Sequence, residues 1–67
     1  MDIETLRARM NASTGPVRIQ THPATDAWMR GDRYGTVTKV GRTYVHVRMD
    51  RSGRTLRFTP GNIDSAN

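Results

Sequence analysis

The sequence predicts a mainly β domain: a small barrel of four to five short antiparallel strands, preceded by a short N-terminal helix. Three observations carry this. Residues 17–21, 43–49 and 55–59 alternate apolar and polar side chains with the two-residue period of half-buried strands. Glycine and proline fall between the alternating runs, at Gly31-Asp32, Gly41-Arg42, Gly53 and Pro60-Gly61, where tight turns would join them. The chain has 67 residues and no cysteine, so it holds at most one core and no disulfide staples it. Closing the strands into a barrel would remove the exposed edges that an isolated meander leaves.

Residues 2–10 read as a short helix with Asp2 as N-cap and Glu4 in the first turn. Ile3, Leu6 and Met10 form its apolar stripe, and a helix this short must dock to persist. The NASTGP stretch of residues 11–16 is a breaker and linker. In residues 17–21, Val17 and Ile19 face one way and Arg18 and Gln20 the other, and His22-Pro23 ends the strand. Residues 24–30 read as a helical turn or irregular strand capped by Asp26, with Trp28 placed in the core. Residues 34–40 form a strand in which Gly35 marks a bulge or a close backbone approach. Residues 43–49 are the clearest strand, with Val45, Val47 and Met49 inward and Tyr44, His46 and Arg48 outward. Residues 50–54 are a hairpin connection with Gly53 suited to positive φ. Residues 55–59 place Leu56 and Phe58 inward and Thr55, Arg57 and Thr59 outward. Asn62-Ile63 adds a closing turn with Ile63 as the last apolar plug. The domain division is therefore helix and linker over 1–16, barrel over 17–64 and a frayed tail over 65–67.

The formal net charge is +5, and it is unevenly spread. Residues 30–57 carry Arg30, Arg33, Lys39, Arg42, Arg48, Arg51, Arg54 and Arg57 against only Asp32 and Asp50. The cationic excess thus coincides with the most strand-like part of the chain, which points to a polyanionic partner. Ten of the eleven basic residues are arginine, the side chain that grips phosphates and carboxylates bidentately, although GC-rich coding also enriches it.

The residues give no sign of catalysis. His22 and His46 lie 24 positions apart, which matches no metal-ligand spacing, so neither metal nor cofactor is expected. No phosphate-binding glycine loop is present, Ser13, Ser52 and Ser65 have no evident base, and the six acidic residues form no pair placed for acid–base work. A non-enzymatic binding module is expected. No apolar run approaches a membrane span and the N-terminus lacks the pattern of a secretory signal, so a cytoplasmic protein without membrane contact is expected.

The segment of residues 30–50, RGDRYGTVTKVGRTYVHVRMD, resembles the SH3-like barrel segment built around a KOW-type motif, found in some ribosomal proteins and transcription elongation factors. The matching positions are Gly31, Asp32, Gly35, Val37, Val40, Val45 and Val47; Arg33-Tyr34 stand where the motif has Lys-Gly. The resemblance implies an SH3-like barrel and, less directly, RNA or ribosome binding. The whole chain, with its SGRTLRFTPGNI ending, also looks like small proteins of actinobacterial phages, which implies no particular activity.

The predicted interface follows from the alternation. With the valines inward, Tyr44, His46, Arg48, Thr55 and Arg57 share the opposite face, and Arg42, Arg51 and Arg54 lie at its ends. Arginines would pair with phosphates and Tyr44 would stack on a base. Trp28, Arg33 and Tyr34 form a candidate rim near the Gly31 turn. Two partner classes fit this surface: DNA or RNA, and a protein, whether an acidic host protein or another copy of the chain.

Overall fold

The computed structural model describes residues 2–12 and 15–66. Met1, Ser13, Thr14 and Asn67, which belong to the expected leading segment, linker and tail, lie outside the described residues. The elements run α1 (Ile3–Ala12), β1 (Arg18–Thr21), α2 (Asp26–Met29), β2 (Tyr34–Val40), β3 (Val45–Met49), β4 (Thr55–Phe58), a 3-10 turn (Pro60–Asn62) and β5 (Ile63–Ser65). The strands form one antiparallel sheet in the order β4-β3-β2-β1-β5. The fold is therefore mainly β with an N-terminal helix.

One expectation needs correction: the sheet does not close into a barrel. β4 and β5 end the strand order without pairing with each other. After Phe58 the chain leaves the sheet at Thr59-Pro60, where proline offers no N–H. The 3-10 turn then carries it to the far edge, where Ile63, Asp64 and Ser65 pair with Thr21, Gln20 and Ile19. Ser65, expected in a frayed tail, is consequently a strand residue.

The inner face of the sheet carries the core. Ile19, Val37, Val45, Val47, Met49, Phe58 and Ile63 are buried there, with Leu6 from α1 and Ala27 from α2. Helix α1 runs two residues past its expected end and docks by its apolar stripe, with Ile3 and Met10 packed beside fully buried Leu6. Asp2 caps it, accepting hydrogen bonds from the Glu4 N–H at 3.4 Å and the Thr5 hydroxyl at 3.5 Å. Two arginines strap the helix to the sheet. Arg7 donates to the Gly41 carbonyl at 3.1 Å, and Arg9 donates to the Ser65 hydroxyl at 2.6 Å.

Helix α2 is capped by Thr25 rather than Asp26: the Thr25 hydroxyl accepts from the Trp28 N–H at 3.3 Å and donates to the His22 carbonyl at 2.7 Å. The helix is one turn long, and its small residue, Ala27, is what reaches the core. Trp28, expected inside, is only partly buried, with the Arg33 guanidinium 4.4 Å above its ring. A four-residue helix presents one position to the core, so Met29 is exposed and Trp28 stays half-buried beneath Arg33.

The β2–β3 pairing contains the decisive irregularity. Val37 pairs with Val47, but the next pair is Lys39 with His46, so Thr38 is an extra residue in β2. The Thr38 hydroxyl donates to the His46 carbonyl at 3.2 Å. Strict alternation would point Lys39 inward with Gly35 and Val37; the bulge reverses the parity, so Val40 packs against the core and Lys39 lies opposite His46. Gly35, read as a bulge or a close approach, is the close approach: a Cβ there would lie 2.5 Å from Val47 Cγ1 and 2.8 Å from the Arg48 carbonyl oxygen. Residues 43 and 44 precede β3 in the turn rather than beginning it, and Gly53 takes the positive φ, 72°, that the β3–β4 hairpin requires.

Two substitutions check this packing. Val47→Ala removes fully buried methyls at the centre of the sheet and is expected to lower unfolding free energy by roughly 1–3 kcal/mol in urea denaturation. Gly35→Ala is expected to cost about 1–3 kcal/mol by the opposite route, because its new methyl meets backbone that cannot give way.

Candidate functional site

The outer face of the sheet is ordered in rows by the strand register. The first row crosses β4, β3 and β2 as Arg57, His46 and Lys39. The second crosses β4 to β1 as Thr55, Arg48, Thr36 and Arg18. The third contains Tyr34, Gln20 and Asp64, with Asp50 joined to Tyr34 through its N–H at 3.1 Å. Strands lie about 4.8 Å apart, so the cationic first row spans about 10 Å. The face is polarised along the strands, cationic at the Arg57 end and acidic at the Asp50 and Asp64 end.

Tyr44 adjoins the first row. The residue is 40% exposed, and the Arg57 guanidinium lies 4.8 Å from the ring centroid. One side of the ring is thus covered by a cation, a stack of the kind that contributes about 0.5–1 kcal/mol at exposed sites. A base meeting this site would encounter a prebuilt tyrosine–guanidinium pair rather than a bare ring.

The expected site residues divide into two groups. Tyr44, His46, Arg48 and Arg57 come together, with exposed Arg42 in the turn beyond that end of the sheet. Arg51 and Arg54 lie in the β3–β4 connection, at the opposite end. The Arg51 guanidinium folds against Gly31, the positive-φ residue after α2, and Arg54 borders a cleft between β4 and α2. Arg54 leaves the face because it shares the parity of the inward Leu56 and Phe58, and Arg51 lies in the connection outside the paired strands. Of the expected rim, Trp28 and Arg33 stack on each other and Tyr34 belongs to the third row, so the three do not form one patch with Tyr44.

Lys39 is the site residue that simple alternation misses. The signal was present in the chain: Val37 and Val40 are three apart, which no regular strand can place on one face. Only an inserted residue reconciles them, and that insertion turns Lys39 outward.

Charge neutralisation is confined to one place. Among the described residues the only ion pair joins Arg18 and Asp50, which meet through the two terminal guanidinium nitrogens, one contact being 2.7 Å from Nη1 to Oδ1. Arg18 Nη1 also donates to the Thr36 hydroxyl at 2.8 Å. Lys39, Arg42, Arg48, Arg54 and Arg57 have no carboxylate partner among the described residues. Hydrogen bonding to Arg18 holds the Asp50 carboxyl below its ordinary range and raises the Arg18 guanidinium further. No three His, Cys, Asp or Glu side chains are grouped to hold a metal among the described residues, and no helix there is long and apolar enough to cross a membrane.

The Asp50 shift has a signed consequence. A carboxyl whose folded pKa lies below its unfolded value stabilises the fold above the unfolded pKa, near 3.9, and loses that contribution as pH falls through the folded pKa. Asp50→Asn is therefore expected to melt below the parent at pH 7, with the difference shrinking as pH falls through the lowered folded pKa of Asp50. A gap that stays constant with pH contradicts the pairing.

No protein family matches the chain, and neither curated proteins nor solved structures provide a match.

Proposed function

We propose that the protein is a non-enzymatic binding module that holds nucleic acid on the outer face of β2, β3 and β4. The observation that carries this is the set of cations on that face with no carboxylate partner among the described residues: Lys39, Arg48 and Arg57, with Arg42 at the end. A phosphate backbone supplies the missing anions at repeated intervals, and releasing its counterions drives association. The Thr36 and Thr55 hydroxyls flank Arg48 and add neutral phosphate contacts. The Tyr44–Arg57 stack offers a platform for an unpaired base, which favours single strands over duplex. Nothing on the face is arranged to read base edges, so recognition is mainly electrostatic and weakly sequence-dependent.

The SH3-like and KOW-like resemblance belongs to the same proposal. Gly35, Val37, Val40, Val45 and Val47 lie on the β2–β3 hairpin that carries the face, and the Gly31-Asp32 turn leads into it. A cytoplasmic location, where such partners are found, accompanies this reading.

Fluorescence anisotropy with labelled single- and double-stranded DNA and RNA, over a salt series, tests it. If four to six phosphates are contacted, affinity should fall with salt along a log–log slope of roughly −3 to −5. Arg48→Ala with Arg57→Ala is expected to flatten that slope by about 1.5 and weaken binding by at least about tenfold. The melting temperature should fall by no more than about 8 °C, the loss of the Tyr44–Arg57 stack, since both side chains are otherwise exposed. Failure of every probe to bind at about 50 mM salt, where electrostatic attraction is strong, overturns the proposal.

A further inference from the structure

A second feature lies beside this face and is not explained by it. β4 is an edge strand, and its hydrogen-bonding pattern shows which groups are left over. The Met49 N–H donates to the Arg54 carbonyl at 2.8 Å, and the pairs Val47 with Leu56 and Val45 with Phe58 continue that phase. In an antiparallel ladder the intervening residues, Thr55 and Arg57, therefore turn their N–H and C=O groups away from β3. They point to the side where no strand follows.

That side is not blank surface. A cleft of about 540 Å³ runs between β4 and α2, lined by Leu56, Phe58 and Ala27 and bordered by Arg30, Arg54 and Arg57. Leu56 is the one inward residue of the β3–β4 hairpin left only partly buried. The cleft thus combines apolar side chains, Leu56, Phe58 and Ala27, with a polar border, and has an unused backbone rail along β4. Two acids line the same cleft, Asp26 at the start of α2 and the buried Asp32 after it, so the arginines outnumber them three to two.

We infer that the free edge of β4 docks one extended strand of a partner protein, whose residues alternate between acidic and apolar. Strand addition satisfies the Thr55 and Arg57 backbone groups. The added strand alternates its side chains between the two faces of the sheet. Those on the outer side come to rest beside Arg57, where acidic groups are favoured. Those on the inner side enter the cleft over Leu56 and Phe58, where apolar groups are favoured. Charge argues against a second copy as the occupant. Pairing β4 with its own symmetry mate brings the Arg54 and Arg57 side chains of two chains together with no acid on either rail. The other edge, β5, carries Asp64 but is three residues long, and its Ser65 hydroxyl is engaged by Arg9.

The test uses the full chain and a synthetic peptide of about seven residues alternating Glu and Val, capped at both ends, a length matched to a common strand. Backbone amide spectra are recorded as the peptide is added, together with hydrogen exchange. The Thr55 and Arg57 amides should shift and gain protection, while the Gln20 and Asp64 amides stay still. N-methylating one alternate set of the peptide's amides should weaken binding by at least about tenfold, because two or more hydrogen bonds are lost, and methylating the other set should not. Replacing Glu by Lys should abolish binding. Thr55→Pro, which removes an outward N–H at an edge position that tolerates proline, should mimic the damaging methylation. Its folded state is checked by the unchanged spectrum of β1 and β2.

Four results overturn the inference: no binding at millimolar peptide, equal affinity of the two methylated peptides, protection of Thr55 and Arg57 by a second copy in peptide-free, concentrated protein, or protection of those amides by an oligothymidylate that competes with the peptide. The last would assign the cleft to nucleic acid. A failed peptide titration with intact oligonucleotide binding on Lys39, His46 and Arg48 removes this site and leaves the outer-face proposal standing.

Discussion

One inserted residue, Thr38, sets the character of both faces of the sheet. Side-chain direction in a strand has a period of two, so Val37 and Val40 can share the core only if one residue between them is left out of the pairing. The bulge satisfies that demand and tightens the local twist. It also carries Lys39 from what would have been a buried position to one opposite His46. Burying an unpaired ammonium would cost several kcal/mol, so the same hydrophobic requirement that seats Val40 against the core places a cation on the outer surface.

The separation of roles between the faces follows. Nearly all the apolar material is spent on one side, where α1, α2 and the inward residues of five strands enclose Val45, Val47 and Ile19 without exposure. The outer side is left to polar residues, and its charges are sorted along the strands rather than intermixed. The acid that could have neutralised the arginines, Asp50, is held by Arg18 at the far end. Repulsion among Lys39, Arg48 and Arg57 is tolerated because they stand in water and β3 between them is anchored on its other side. A polyanion relieves that repulsion, so the same arrangement that costs the free protein a little stability favours the complex.

Much of this was legible in the chain. The alternation in residues 17–21, 43–49 and 55–59 assigned the faces of β1, β3 and β4 correctly, including Tyr44, His46, Arg48 and Arg57 on one surface, because period-two burial is a local property. What escaped depends on the third dimension. Whether five strands close or stay open is decided by where the 3-10 turn delivers β5, and Asp64 and Ser65 carry no strand signal of their own. Size alone argues for Trp28 in the core, but the one-turn helix buries Ala27 there and leaves Trp28 half-buried. Sequence position alone puts Arg51 and Arg54 at the ends of the face, whereas Arg51 packs against Gly31 and Arg54 borders the cleft. The bulge is encoded in the Val37–Val40 spacing rather than at Gly35, because glycine in a strand can mark either a bulge or a close approach.

The most direct measurement is a map of backbone amide shifts across the whole chain as an oligothymidylate is titrated at low salt. The largest changes should fall on Lys39, Tyr44, His46, Arg48 and Arg57, fading through Thr36 and vanishing at Gln20 and Asp64 on the same face. Changes centred on the Asp50 end, or spread evenly over every exposed arginine including Arg7 and Arg9 of α1, would contradict a polyanion site built by the parity switch at Thr38.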